Sequence, residues 1–279
     1  MATWFITGCS SGLGRQLAVT ALAAGFNVVV TARNPATLQD VAASYPEKAL
    51  VASLDVTNEM MIKQVVQQAE QRFGSIDVLI NNAGYGYRAA VEEGDSNQVA
   101  NLFATNFFGA VSVIKAVLPG MRARHCGTIV NITSIGARLA MPGSAYYSAT
   151  KFALEGLSDA LRKEIDPLGI RVLIVEPGAF RTDFAGRSLV GSKTMISDYD
   201  ETVGPRRKTQ DKTDGTQPGD PARAAKVLLN VIGETKLPLR LLLGTDAVQI
   251  VGKELAHQVQ EIKTWESMSG QTDFINPIA

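Results

Sequence analysis

The sequence predicts an α/β fold, a single doubly wound parallel sheet of about seven strands flanked by helices. Three observations predict it. Short β-branched or apolar runs alternate with helix-length segments through most of the chain. The first such run passes into a glycine-rich turn and then a helix. No internal repeat or second-domain linker interrupts the pattern, and 279 residues with 46% hydrophobic content suffice for one large core. Residues 1–279 are therefore read as one domain, with a regular part to about 183, a polar segment over about 184–220, and a C-terminal part over about 221–279.

Trp4-Phe5-Ile6-Thr7 reads as the first strand, followed by Gly8-Cys9-Ser10-Ser11-Gly12-Leu13-Gly14 and a helix from Arg15 to Ala24. Glycines let the backbone approach a pyrophosphate, and the orphan amides of a helix start point at it. Ser10 and Ser11 add hydroxyl donors. Val28-Val29-Val30-Thr31 is the second strand, with Arg33 just beyond. An acid there would accept from an adenosine ribose hydroxyl, whereas an arginine suits a 2′-phosphate. Thr31, Ala32 and Arg33 include no acid, so NADP(H) is favoured over NAD(H).

The third strand, Ala49 to Val56, carries Asp55 near its end, where the acid would meet an adenine edge. An amphipathic helix follows over Glu59–Phe73. Ile76 to Ile80 is the fourth strand and runs into Asn81-Asn82-Ala83-Gly84, small residues that again permit close backbone approach. A long helical stretch from Asp95 to Met121 holds Asn106 in its middle, and Pro119-Gly120 limits it. Asn is a poor interior helix residue, which points to a local bend or a task.

The fifth strand, Gly127 to Ser134, ends in Ser134, and a loop over Ile135–Gly143 leads to a helix that continues to about Ile165. Arg171 to Val175 is the sixth strand, and Glu176 to Thr182 leaves its carboxyl end. The 184–220 segment has little apolar periodicity, and a long polar loop of this kind is a binding lid or lacks order. Asp220-Pro221 reads as N-cap and first position of a helix over Ala222–Ile232. Leu237 to Leu243 is the last strand, Asp246 to Ser267 a polar helix, and a coil tail ends the chain.

Composition excludes several classes. Twenty-seven basic and 27 acidic residues give a formal charge of zero and no electrostatic reason to expect nucleic acid or an anionic membrane. No signal peptide and no unbroken run of about 18 apolar residues are found, so neither secretion nor a membrane span is expected, and the cytoplasm is the expected location. Two cysteines (Cys9, Cys126) and two histidines (His125, His257) form neither a disulfide framework nor a metal site.

At the start of the helix after Gly143, Tyr147 and Lys151 stand four residues apart and so share a face. Tyr146 points about 100° away. A free phenol titrates near pH 10, too high for efficient proton transfer at neutrality. A neighbouring ammonium, with a cationic nicotinamide ring, is expected to pull it down.

Taken together, the chain resembles the short-chain dehydrogenase/reductase family in its ordinary-length branch. The residues that carry the resemblance are Thr7-Gly8-x-x-x-Gly12-x-Gly14, Asn81-Asn82-Ala83-Gly84, Ser134, Tyr147-x-x-x-Lys151 and Pro177-Gly178-x-x-x-Thr182, in order and spacing over roughly residues 3–183. The resemblance implies a Rossmann-type fold with Tyr147 as general acid/base, Lys151 lowering its pKa and holding the nicotinamide ribose, and Ser134 bonding the substrate oxygen. It implies that Asn106 holds a water linking Lys151 to solvent. Gly8, Ser10, Ser11, Gly12, Leu13 and Gly14 would cradle the pyrophosphate, Arg33 the 2′-phosphate, and Asp55 and Val56 the adenine. Asn82, Ala83 and Gly84 would border the ribose, and Pro177, Gly178 and Thr182 the nicotinamide amide. No metal is implied.

The expected activity is hydride transfer between NADP(H) and a ketone, aldehyde or secondary alcohol with an apolar body. Tyr85-Gly86-Tyr87, the loop after Ser134 and the segment after Thr182 are expected to line the pocket, with Leu139, Met141, Phe180 and Phe184 as its apolar residues. The alternative is an NADP-binding redox sensor with little turnover, which would be expected to lack the tyrosine or lysine. A homodimer or homotetramer is the family expectation, paired through helices near 95–121 and 147–165.

Overall fold

The computed structural model describes residues 1–184, 186, 188–213 and 215–274, the side chains of 209–213 excepted. In chain order the elements are β1 (Thr3–Ile6), α1 (Gly12–Ala23), β2 (Asn27–Ala32), α2 (Gln39–Ala43), β3 (Ala49–Ser53), α3 (Glu59–Phe73), β4 (Val78–Asn81) and β5 (Gly86–Arg88). There follow α4 (Ser96–Phe103), a π-helical turn over Ala104–Gly109, α5 (Ala110–Arg124), β6 (Gly127–Ile132), α6 (Ala145–Ile165) and β7 (Ile170–Pro177). The chain closes with β8 (Leu189–Gly191), α7 (Gly204–Thr213), α8 (Pro221–Gly233), β9 (Arg240–Leu243) and α9 (Thr245–Ser269).

Seven parallel strands form one sheet in the order β3-β2-β1-β4-β6-β7-β9. Strand side chains alternate between faces, and the sequence fills both. Trp4, Ile6, Val28 and Val30 pack on one face with Leu17 and Leu22 of α1 and Leu228 of α8. Phe5, Val29, Leu79 and Ile129 pack on the other with Val65 of α3, Val113 and Val117 of α5 and Leu161 of α6. Each of these large apolar side chains contributes about 1.5–3 kcal/mol when fully buried. The strand order reverses between β1 and β4, which opens a crevice at their carboxyl ends.

Several boundaries differ from the sequence expectation. α1 begins at Gly12 rather than Arg15, so the last two glycines of the motif already belong to its first turn. The helix after Ala110 runs through Pro119 to Arg124 and ends at His125 in the left-handed region, φ 51°. Pro119 does not stop it because it lies on the exposed side, where a lost backbone hydrogen bond is least costly. Length and composition alone would let the 29 residues of Ser96–Arg124 cross a bilayer, although Asn106 and Lys115 interrupt its apolar run. In this fold Leu102, Val113, Ile114, Val117 and Met121 of that stretch are buried against the protein.

The 184–220 segment is not a structureless loop. β8 pairs with β5 in a small parallel sheet, and α7 follows. Glu93, 2% exposed, ties the segment down: its carboxylate accepts from Ala90 N at 2.8 Å and Ile196 N at 2.9 Å, and it pairs with Arg207. Burial alone would raise the Glu93 pKa, but these amides and Arg207 outweigh it and hold the carboxyl below its ordinary value. The cause lies about a hundred residues upstream, so the local sequence carried no sign of it. The coil tail expected at the C-terminus falls largely on residues 275–279, outside the described residues.

Candidate active site

The crevice at the strand carboxyl ends widens into a cleft of about 1200 Å³. Its inner end is built by the loop after β1. Thr7, at the end of the strand and 1% exposed, accepts through Oγ1 from Asn82 N at 2.9 Å and Ala83 N at 3.0 Å. The Asn82 side chain donates back to the carbonyls of Thr7 at 2.9 Å and Gly8 at 3.0 Å. The glycine turn and the Asn82-Ala83-Gly84 turn are therefore clamped face to face. Gly8 and Gly12 have positive φ of 71° and 57°, and a Cβ on Gly8 would stand 2.9 Å from Ala83 Cα.

Gly8, Ser10, Ser11, Gly12 and Leu13 line the cleft, as do Asn82, Ala83 and Gly84. Gly14 does not. It lies behind the loop, where a Cβ would collide with Asn82 Nδ2 and Gly8 O, so its part is helix-to-turn packing. Arg33, Asp55 and Val56 line the same end beneath the carboxyl ends of β2 and β3. Arg33 is exposed to the cleft. The other nearby guanidinium, Arg15, pairs with Asp40 and donates to Thr37 O at 3.0 Å. One oxygen of Asp55 accepts from Thr57 N at 2.9 Å and Thr57 Oγ1 at 2.7 Å, which fixes the carboxylate on its turn. A built cradle of positive-φ glycines, orphan helix amides and a facing arginine fits a dinucleotide phosphate.

Ser134, Tyr147 and Lys151 meet midway along the cleft. The Ser134 hydroxyl lies beside the Tyr147 phenol and accepts from Gly136 N at 3.0 Å. Lys151 Nζ donates to Ile132 O at 2.9 Å and stands 5.8 Å from the centre of the Tyr147 ring. The expected depression of the phenol is not found in the protein chain. Burial pushes Tyr147 up to about 12, offset only in part by Ser134, and burial draws Lys151 down to about 8. Lys151 donates to a backbone carbonyl, and desolvation sets the direction of the Tyr147 shift. Tyr146, as the spacing indicated, turns elsewhere and donates to Val91 O at 2.6 Å.

Asn106 sits in the π-helical turn and is 1% exposed. Its side chain accepts from Tyr85 N at 3.0 Å and donates to Tyr85 O at 2.9 Å and Thr150 Oγ1 at 3.2 Å. Those bonds fasten the Tyr85 turn next to Lys151. The bend expected at this position is the π turn itself.

Pro177, Gly178 and Thr182 line the cleft beyond β7. Asp246 of α9 accepts from Ala179 N at 2.8 Å and fills the space a Gly178 Cβ would need. At the outer end Phe184 lies 5.6 Å from the Tyr147 ring, beside Tyr85, Phe180, Leu189 and Val190. Leu139 and Met141 are not in the lining, and Met141 is exposed to solvent. Tyr87 is buried, with its hydroxyl accepting from Asp95 N at 3.0 Å.

Three supporting groups escaped the sequence reading. Thr7 closes the first strand, and its place in the motif carries no sign that its hydroxyl holds the facing turn. Asp246 and the buried set behind Lys151 depend on contacts distant in sequence. In that set Thr133 Oγ1 donates to Glu155 Oε1 at 2.9 Å, Arg138 pairs with Glu176 at 2.5 Å, and Arg240 pairs with Glu155 at 3.0 Å.

Fold and site define a dinucleotide-type oxidoreductase cleft, and residues 2–190 match the family model for short chain dehydrogenases. The chain belongs to the short-chain dehydrogenase/reductase family. It is 39% identical over 267 residues to oxidoreductase BOA17 of Botryotinia fuckeliana (strain B05.10), covering 95% of this chain and 97% of that one. It is similar to a crystal structure of a short-chain dehydrogenase from Streptomyces avermitilis, with 43% identity, a TM-score of 0.91, and coverage of 98% and 100% of the two chains. ElxO with NADP bound is 25% identical, with a TM-score of 0.72 over 89% of this chain and 99% of that one.

Proposed function

We propose that this chain transfers a hydride between NADP(H) and a ketone, aldehyde or secondary alcohol, with Tyr147 as the proton-transfer residue. The observation that carries the reading is the grouping of Ser134, Tyr147 and buried Lys151 in one cleft, between a phosphate cradle and an apolar-walled outer end. When bound, the nicotinamide supplies or accepts the hydride. Gly8, Ser10, Ser11, Gly12 and Leu13 would hold the pyrophosphate, Arg33 the 2′-phosphate, Asp55 and Val56 the adenine. Asn82, Ala83 and Gly84 would border one ribose, and Pro177, Gly178 and Thr182 the nicotinamide amide.

Tyr147 donates its proton to the substrate oxygen in reduction. A phenol that keeps its proton at neutral pH suits that direction. Ser134 donates a hydrogen bond to the same oxygen, where negative charge develops. Lys151, held by Ile132 O, places a positive charge behind the phenolate that proton loss leaves. Asn106 positions the Tyr85 wall and the floor next to Lys151. The arginine at the end of β2 and the NADP carried by ElxO support the choice of NADP(H).

The test is turnover of a panel of apolar ketones and aldehydes with NADPH and with NADH. Reduction of several members, faster with NADPH, is expected. Tight NADPH binding with no turnover across the panel would contradict an enzyme and leave a redox sensor.

A further inference from the structure

Arg206, on α7, lines the outer end of the cleft. It is half-buried, and no carboxylate pairs with it among the described residues. The neighbouring guanidiniums are otherwise placed. Arg207 is paired with buried Glu93, and Arg88, which lines the same end, donates through Nη1 to Arg207 O at 2.9 Å. Burial first, then the charge of Arg88, makes it harder for Arg206 to hold its proton. Among the described residues, the one carboxylate in the lining is Asp55, at the opposite end. The outer chamber thus combines apolar walls (Phe184, Leu189, Val190) with two guanidiniums and, among the described residues, no acid in its lining.

A guanidinium that is partly desolvated, faces a second cation and has no counter-charge among the described residues is costly in the free protein. The cost is recovered when an anion enters, and the planar fork of arginine matches a carboxylate in particular. We propose that Arg206 is the anion-recognition residue of the substrate site, so that the substrate carries a carboxylate at the end of an apolar body remote from its carbonyl or carbinol carbon. This rests on the reading of the cleft as a substrate site, and it adds a charged end to an otherwise apolar substrate.

The test is calorimetric titration of the NADP⁺-saturated protein with octanoate and with octanol, in wild type, Arg206→Gln and Arg206→Lys. Octanoate is expected to bind wild type about 10–100-fold more tightly than octanol, the range of one charge-assisted contact. The preference collapses in Arg206→Gln and returns in part in Arg206→Lys. Equal or tighter binding of octanol, failure of octanoate to bind, or an undiminished preference in Arg206→Gln overturns the proposal. The two readings separate cleanly. Turnover of neutral ketones without octanoate preference removes Arg206 and keeps the reductase. Octanoate preference with no turnover of any carbonyl compound keeps the anion site and removes the reductase.

Discussion

The side-chain nitrogen of Asn82 occupies the space that a Cβ on Gly14 would need. The same nitrogen donates to the carbonyls of Thr7 and Gly8, so the helix start, the glycine turn and the turn after β4 share one contact. Gly14→Ala must push Asn82 aside and break that clamp. The expected cost is about 1–3 kcal/mol of stability, as for overpacking in a tight core, together with weaker NADPH binding. Urea unfolding and fluorescence titration check both; an unchanged midpoint and affinity would show that the clamp yields freely.

Arg33 tests cofactor choice. Its guanidinium faces the cleft while Arg15 is held by Asp40, so the 2′-phosphate has one nearby arginine free to receive it among the described residues. Arg33→Ala is expected to weaken NADPH binding by about 10–100-fold, the worth of a charge-assisted contact, and to leave NADH binding nearly unchanged. Equal losses for both cofactors would assign Arg33 a general role in holding the loop.

Much of this was legible in the sequence, for a physical reason. A doubly wound sheet is written in local periodicity, and the glycine turn, Asn82 and the Tyr147–Lys151 pair each lie on a short stretch whose geometry follows from its own spacing. The exact agreement of α3 with Glu59–Phe73 reflects strong amphipathy and the Asn58 cap. What stayed hidden depends on contacts distant in sequence. Glu93 organising residues 192–207, Asp246 pinning Ala179, and the desolvation that raises Tyr147 above its free value have no local signature. The substrate end belongs to this second kind: Leu139 and Met141, apolar residues of the loop after Ser134, do not line the cleft.

The acid cluster behind Lys151 gives a pH signature. Burial pushes Glu176 up to about 7, with Arg138 opposing the shift and Glu155 adding to it. The folded chain therefore keeps a proton that the unfolded chain, with an ordinary value of 4.5, releases. Its contribution to stability is full below pH 4.5 and is lost as pH rises through 7. Glu176→Gln cannot ionise, so its stability relative to wild type should rise by about 1–3 kcal/mol between pH 4.5 and 8. Unfolding titrations of both proteins across that range check it, and parallel curves would mean that Glu176 is charged throughout.

The most direct test of the account is Tyr147→Phe, which removes the phenolic oxygen and keeps the ring against Phe184. NADPH affinity should stay within about threefold of wild type, because the cradle is built by other residues, while single-turnover reduction falls by about 10²–10⁴-fold. A variant that binds NADPH normally and still reduces carbonyl compounds at the wild-type rate would contradict the assignment of proton transfer to Tyr147.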